Sequence, residues 1–274
     1  MNNFTAVPQI MGILNLTEDS FSDGSLYLDG IKACMHAEEM LSQGAQVIDL
    51  GAESTRPGAM PVNPEMQLQR ILPVLRALKL KHPETSFSID TQSAAVAKEC
   101  LAQGASIIND ISALRFDDGM AGLLAENEDA KVILMHMQGT PATMQNDPKY
   151  EDVLLEIKEF FVQRLDYCHS QGIRKENILL DPGIGFGKSL EHNLLILANL
   201  DFFADLSLPL VLGASRKSFI NALYPSEPAK RLAGTLAAAA FAIRSKVAYL
   251  RVHDVAEHSQ FLAVFDAISK RRMA

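Results

Sequence analysis

Eight short runs rich in Val, Ile and Leu, each followed by a longer stretch of helical spacing, restrict this chain to a few folds. The runs occupy residues 9–14, 46–50, 86–89, 106–108, 131–135, 177–180, 210–212 and 247–252. They lack the polar alternation of a half-exposed strand, so they predict strands buried on both faces. The helical stretches cover 31–43, 64–81, 93–103, 151–171, 190–200, 229–246 and 255–271, with a shorter one after Met120. Three of them stop at Gln43-Gly44, Gln103-Gly104 and Gln171-Gly172, where glycine suits the left-handed residue that ends a helix. Strands and helices in strict alternation require a parallel sheet covered by helices. Eight such units with no linker predict a single (β/α)8 barrel, the TIM-barrel class of α/β fold, over residues 1–274. A doubly wound open sheet is the alternative, but the glycine-rich first turn usual there is missing from Asn15-Leu16-Thr17-Glu18.

A chain of 274 residues, 48% hydrophobic and 21% charged, can bury a large core without disulfides, and this excludes disordered and fibrous classes. The formal charge of −8, from 25 Lys+Arg against 33 Asp+Glu, argues against a nucleic-acid binder acting through a global basic field. A local basic cluster can still hold a small anion, because screening confines each exposed charge to about 10 Å. No signal peptide is visible, and the apolar run at 232–243 is too short and too rich in Ala, Gly and Thr to span a bilayer. Cys34, Cys100 and Cys168 are widely spaced and form no C-x-x-C pair, which predicts free thiols in a reducing compartment. The expectation is a soluble cytoplasmic protein without nucleic-acid or membrane partners.

Unusual polar residues cluster where the predicted strands end. Asn15 follows the first run, and Asp49, Glu53, Thr55 and Arg56 close or follow the second. Asp90 ends the third, Asn109-Asp110 the fourth, His136 the fifth and Asp181 the sixth. Ser215-Arg216-Lys217-Ser218 follow the seventh, and Arg251 and His253 end the eighth. In a barrel these ends share one face, the face that carries active sites. Asp110 and Asp254 have an ordinary explanation as helix N-caps, and His136 as a satisfied half-buried histidine. Capping does not explain why Asn109, Asp181, Lys217 and Arg251 should all fall at one mouth. Arg216, Lys217, Arg251 and His253 come from the sector of barrels that often holds a phosphate. Asp90, Asn109 and Asp181 offer groups suited to a flat heterocycle with several N–H donors. The mouth therefore reads as a ring pocket beside an anion pocket. The segment Asp181-Pro-Gly-Ile-Gly-Phe-Gly-Lys188 misses the G-x-x-x-x-G-K-[ST] phosphate loop, since Pro182 stands at the first glycine, and it predicts a tight glycine turn beside a ligand.

These residues also fall in blocks. They are Met11-Gly-Ile-Leu-Asn15, Asp19-Ser-Phe-Ser-Asp-Gly24, Glu53-Ser-Thr-Arg-Pro-Gly58, Ser88-Ile-Asp-Thr91 and Ile108-Asn-Asp-Ile111. Further on come Met135-His-Met-Gln-Gly139, Asp181-Pro-Gly183 with Gly185-Phe-Gly-Lys188, Ser215-Arg-Lys-Ser218 and Arg251-Val-His-Asp254. In this order and at strand ends, the chain resembles the dihydropteroate synthase family of bacterial folate synthesis. The resemblance implies an enzyme that joins 6-hydroxymethyl-7,8-dihydropterin diphosphate to p-aminobenzoate, with Mg2+ as cofactor and a homodimer as the assembly. It implies that Asp90, Asn109, Asp181, Lys217 and Arg251 bind the pterin, Asp90, Asp181, Lys217 and Arg251 being the catalytic set. Asn15, Arg56, Arg251 and His253 would bind diphosphate, with Asn15 also holding Mg2+. Phe21, Thr55, Pro57, Phe186 and Ser218 would line the aminobenzoate site. One position departs from the family: Glu18 stands where proline is usual in the first loop. The alternatives are another pterin-binding barrel of the methyltetrahydrofolate methyltransferase type, or a pterin-binding barrel that has lost catalysis.

Overall fold

The structure is a computed structural model and describes residues 7–17, 26–54 and 60–271. Strands and helices alternate as β1 (Gln9–Asn15), α1 (Leu26–Ser42), β2 (Val47–Gly51), α2 (Pro64–Lys81), β3 (Ser86–Asp90), α3 (Ala94–Ala102), β4 (Ile107–Asp110), α4 (Gly119–Glu126) and β5 (Lys131–Met135). They continue as α5 (Val153–Ser170), β6 (Ile178–Asp181), α6 (Leu190–Ala198), β7 (Val211–Leu212), α7 (Ser218–Leu223), α8 (Leu232–Arg244), β8 (Tyr249–Val252) and α9 (Val255–Ser269). The strands pair in parallel in the order β6-β5-β4-β3-β2-β1-β8-β7. A single parallel bridge, Leu180 to Leu210, joins the two ends. This is the predicted barrel, not the open sheet.

Local chemistry explains the element boundaries. Asn63 caps α2 by accepting from Met66 N at 2.8 Å, with Pro64 opening the helix where its missing N–H is harmless. Ser93 caps α3, Asp152 caps α5, and Ser189 forms a reciprocal capping box with His192 on α6. Gly44, Gly104 and Gly172 have φ of +105°, +93° and +86°, so the three glycine stops are left-handed turns as the sequence predicts.

The apolar core has two layers. The larger lies between the sheet and its helices and includes Ile48, Leu50, Leu75, Phe87, Ile89, Phe161 and Phe203. The smaller fills the inside of the barrel: Met11, Val47, Ile107, Ile133, Leu179 and Val211, with Tyr249 packed against them. That plug is the floor on which the polar residues stand.

Candidate active site

Side chains alternate between the two faces of a strand, so the residue two places beyond a plug residue also points inward, one level nearer the C-terminal mouth. Val47 is followed in this way by Asp49, Ile107 by Asn109, Leu179 by Asp181 and Tyr249 by Arg251. The register brings Asn15, Gly51, Asp90 and Asn109 to one level across β1 to β4. The predicted residues on the strands, Asn15, Asp90, Asn109, Asp181 and Arg251, are thus drawn together by strand geometry: an apolar plug below, a polar ring above it. Asn15 and Asp90 end their strands inside the ladder, one residue later than the apolar runs suggest, because the backbone pairing continues through them.

On the β2–β3–β8 side the ring is ion-paired. Arg251 is in register with Met11, one level below Asp49, and its length carries the guanidinium up to the carboxylates. Arg251 Nε lies 2.6 Å from Asp49 Oδ2, and Nη2 lies 2.7 Å from Asp90 Oδ2. Asn109 Nδ2 donates to the same Asp49 Oδ2 at 3.3 Å. Burial alone would lower the pKa of Arg251, but Asp49 and Asp90 hold it above its ordinary value. Burial pushes Asp90 up to about 7, with Arg251 holding it down and Asp49, Glu53 and Asp110 adding to the rise.

The β5–β6–β7 side is built from lysines. Asp181 Oδ1 accepts from Gly183 N at 2.7 Å. Gly183 has φ +70°, and a Cβ there would sit 2.0 Å from the His136 carbonyl oxygen, so only glycine fits. The loop that follows is tied down by Gln145 Nε2 to Gly185 O at 2.7 Å and by Tyr150 Oη to Gly187 O at 2.8 Å. Lys188 is buried beneath it, its Nζ reaching His136 Nδ1 and Phe186 O at 2.9 Å each and His136 O at 3.3 Å. The segment is a glycine turn, and its lysine is spent inside the protein rather than on a phosphate. His136 is buried, satisfied and edge-on to Phe160 at 4.8 Å between ring centres. Lys217 Nζ stands 3.9 Å over the Phe186 ring. Burial pushes Lys188 down to about 7 and Lys217 down to about 8, in both cases against the pull of Asp181. Burial raises Asp181, opposed by the Gly183 hydrogen bond and by Lys217, Arg251 and Lys188. Burial, with the charges of Lys188 and Arg115, holds His136 well below its ordinary value.

The anion corner differs from expectation in one residue. Arg216 adopts a left-handed φ of +58° and turns away to form a bidentate pair with Asp254, Nε to Oδ2 at 3.0 Å and Nη2 to Oδ1. Asp254 stands at the N-cap of α9 without a side-chain cap bond, because Arg216 takes both its oxygens. Asp110 does fill a turn-capping role, accepting from Ser112 N at 2.7 Å and Leu114 N at 2.9 Å. His253 Nδ1 is 3.0 Å from Ser215 Oγ, and burial with the nearby Arg216 and Arg251 charges pushes it down to about 3. Ser218 opens α7 exposed, and Phe186 joins Ile111, Met135, Met137 and Met144 in an apolar wall.

Phe21, Thr55, Arg56, Pro57 and Glu18 lie outside the described residues. Asn15 is exposed at the end of β1. Its amide oxygen is a hard donor of the kind Mg2+ accepts, and among the described residues no group of three or more His, Cys, Asp or Glu could hold a metal. Mg2+ draws most of its ligands from phosphate and water, so a single protein oxygen is compatible with it. Two buried charged residues at the mouth have no role assigned from the sequence, although Asp49 stands among its polar strand-end residues. Asp49 carried a readable signal, a charge two places beyond Val47 in an otherwise apolar strand. Lys188 carried none, since nothing in its neighbours announces burial.

Comparison with known proteins identifies the family. The family model described as "Pterin binding enzyme" matches residues 11–253. The dihydropteroate synthase of Escherichia coli K12 is 46% identical over 260 residues, covering 95% of this chain and 91% of that protein. The Yersinia pestis dihydropteroate synthase, solved with a sulfonamide drug complex, superposes with a TM-score of 0.91 at 42% identity, covering 96% of this chain and 95% of the other. The Xanthomonas albilineans dihydropteroate synthase with 4-aminobenzoic acid gives 0.89 at 39% identity, covering 96% and 93%.

Proposed function

The chain belongs to the pterin-binding enzymes and, within them, to the dihydropteroate synthases, and from that membership we propose that it joins 6-hydroxymethyl-7,8-dihydropterin diphosphate to p-aminobenzoate, giving 7,8-dihydropteroate and pyrophosphate. The observation that carries the reading is the polar ring: Asp90, Asn109 and Asp181 stand on one apolar floor with Lys217 and Arg251 beside them. Acceptors in that arrangement meet the N–H edge of a flat pterin, and a ring lacking those donors leaves buried groups unpaired.

The reaction breaks the bond from the pterin methylene carbon to the diphosphate oxygen and forms one from that carbon to the arylamine nitrogen, which then loses a proton. Positive charge develops on the methylene and spreads into the ring. Asp90 and Asp181 stabilise that charge at close range in a buried site. Arg251 and His253, with Lys217 at the junction of the ring and anion pockets, serve the departing diphosphate in this reading, a role that family membership also gives Arg56. Asn15 would hold Mg2+, which when bound would supply positive charge beside the leaving group. The arylamine is a neutral nucleophile and needs placement more than a base. Phe186 and Ser218 supply its surroundings in this reading, and family membership gives Phe21, Thr55 and Pro57 the same role.

A homodimer fits the apolar side chains of Leu223, Tyr224, Phe241, Val264 and Ile268, which are exposed on α7 to α9. A cytoplasmic location fits the free thiols of Cys34, Cys100 and Cys168. Among the described residues no helix is long and apolar enough to cross a membrane. The deciding experiment incubates the purified protein with both substrates and Mg2+. Dihydropteroate and pyrophosphate appearing together, and only with both substrates, support the reading. Pterin binding without product would leave a binding protein and overturn the activity.

A further inference from the structure

Asp49 is the one carboxylate of the polar ring to which the reaction above gives no task. It is fully buried on β2. Its Oδ2 accepts from Arg251 Nε on β8 and from Asn109 Nδ2 on β4. Among the described residues its Oδ1 has no hydrogen-bond partner, and neither has the hydroxyl of Ser88, its register partner on β3. A buried carboxylate with one oxygen unmet destabilises a fold relative to an apolar side chain. Val47, one level down, shows that this strand can supply one. Stability therefore does not explain the residue, but its two partners do, since both face the pterin.

We propose that Asp49 is a positioning residue that sets the specificity of pterin binding, and this rests on the reading of the site as a pterin pocket. A carboxylate can only accept hydrogen bonds, so it commits the NH2 end of the Asn109 amide to itself. The carbonyl oxygen of Asn109 is then left for the substrate, as an acceptor for a ring N–H. The same Asp49 oxygen fixes the guanidinium of Arg251 against the wall of the pocket. Asparagine at 49 would have a donor as well as an acceptor, and Asn109 could then turn either way.

The test measures binding of the pterin diphosphate, and of ring-N-methylated pterins, to wild type and Asp49→Asn by calorimetry. Steady-state kinetics are followed in parallel. The variant is expected to bind pterin at least about tenfold more weakly and to lose at least about tenfold of its discrimination against the methylated rings. The KM for p-aminobenzoate is expected to stay within about twofold, since uniform binding of that substrate is untouched. A variant that keeps full discrimination, or that loses both substrates equally, overturns the role of Asp49 while leaving the pterin pocket intact. A wild-type protein that binds no pterin overturns both. Should Asp49→Asn not fold, a neutron structure of the wild-type protein with pterin bound decides. Asn109 Nδ2 on Asp49 with Oδ1 on the ring is the expected result, and the reverse orientation overturns it.

Discussion

The two sides of the mouth meet the same demand by different chemistry. On the β2–β3–β8 side, carboxylates are matched by an arginine whose planar fork bonds Asp49 and Asp90 at once. On the β5–β6–β7 side, Asp181 is met by a backbone N–H, while Lys188 and Lys217 rest on an imidazole, carbonyl oxygens and a phenyl ring. Arginine stays charged at every working pH, so the first side keeps its cation fixed and titrates only through its carboxylates, Asp90 being pushed up to about 7. Burial brings both lysines close to neutral pH, so the second side can gain or lose protons as ligands arrive. The difference separates a side whose cation is fixed and whose carboxylate titrates from a side whose cations titrate.

Breaking the fixed side should have the largest effect. Arg251→Ala strands two buried carboxylates and should lower stability by about 3–5 kcal/mol at pH 8, with activity lost. Because the Asp90 carboxyl is pushed up to about 7, it takes a proton as pH falls, and the penalty of its ionised form disappears below that value. Urea denaturation at pH 8 and pH 5 should therefore show a smaller loss at the lower pH. An equal loss at both would mean that Arg251 is not what balances these charges.

The adjustable side should fail in function before it fails in folding. Lys217→Ala removes an ammonium that lies over a ring, not one locked in an ion pair. Turnover and pterin affinity should drop together by about 10²-fold, with stability changed by no more than about 1 kcal/mol. Unchanged kinetics would take Lys217 out of the site. An effect of the same order or smaller is expected for Asp181→Asn, which keeps an amide oxygen for Gly183 N but loses the charge, weakening pterin binding by about 1.5–3 kcal/mol. Unaltered affinity in equilibrium titration would leave Asp181 as a turn residue only.

The subtlest prediction sharpens the contrast by giving the two sides opposite signs. Ring N–H donors arriving at Asp90 favour its ionised form and lower its pKa, so binding near pH 6.5 should release protons. An anionic diphosphate arriving at Lys217 favours the ammonium, so binding near pH 8 should take protons up. Calorimetry in buffers of different ionisation enthalpy reads both, each a fraction of a proton. The same sign at both pH values would mean that one side dominates the titration.

Much of this could be read from the chain. The strands appear as apolar runs because the barrel wall is covered on both faces, and the polar residues that end them are forced to one mouth by parallel strand direction. Period-two spacing from the plug even marks Asp49. The fate of Arg216 could not be read, because a left-handed backbone at that residue aims it at Asp254 and away from the mouth. Nor could the pairing of Arg251 with two acids, which joins residues on three strands distant in sequence, nor the burial of Lys188 beneath its own glycine loop. Each of these is decided by tertiary partners, which local propensity does not encode.

The short seventh strand has a mechanical consequence. Seven adjacent strand pairs are laced by runs of register, but β6 and β7 are joined only by the bridge from Leu180 to Leu210, with Leu180 N donating to Pro209 O at 3.0 Å. Asp181 and Gly213 lie just beyond that last stitch. The cylinder is thus a hoop with one seam, and the seam runs between the carboxylate of Asp181 and the strand that leads to Lys217. Fewer backbone hydrogen bonds hold the wall there than at any other strand pair, while Arg251 is held by the four-residue register between β8 and β1 on its other side.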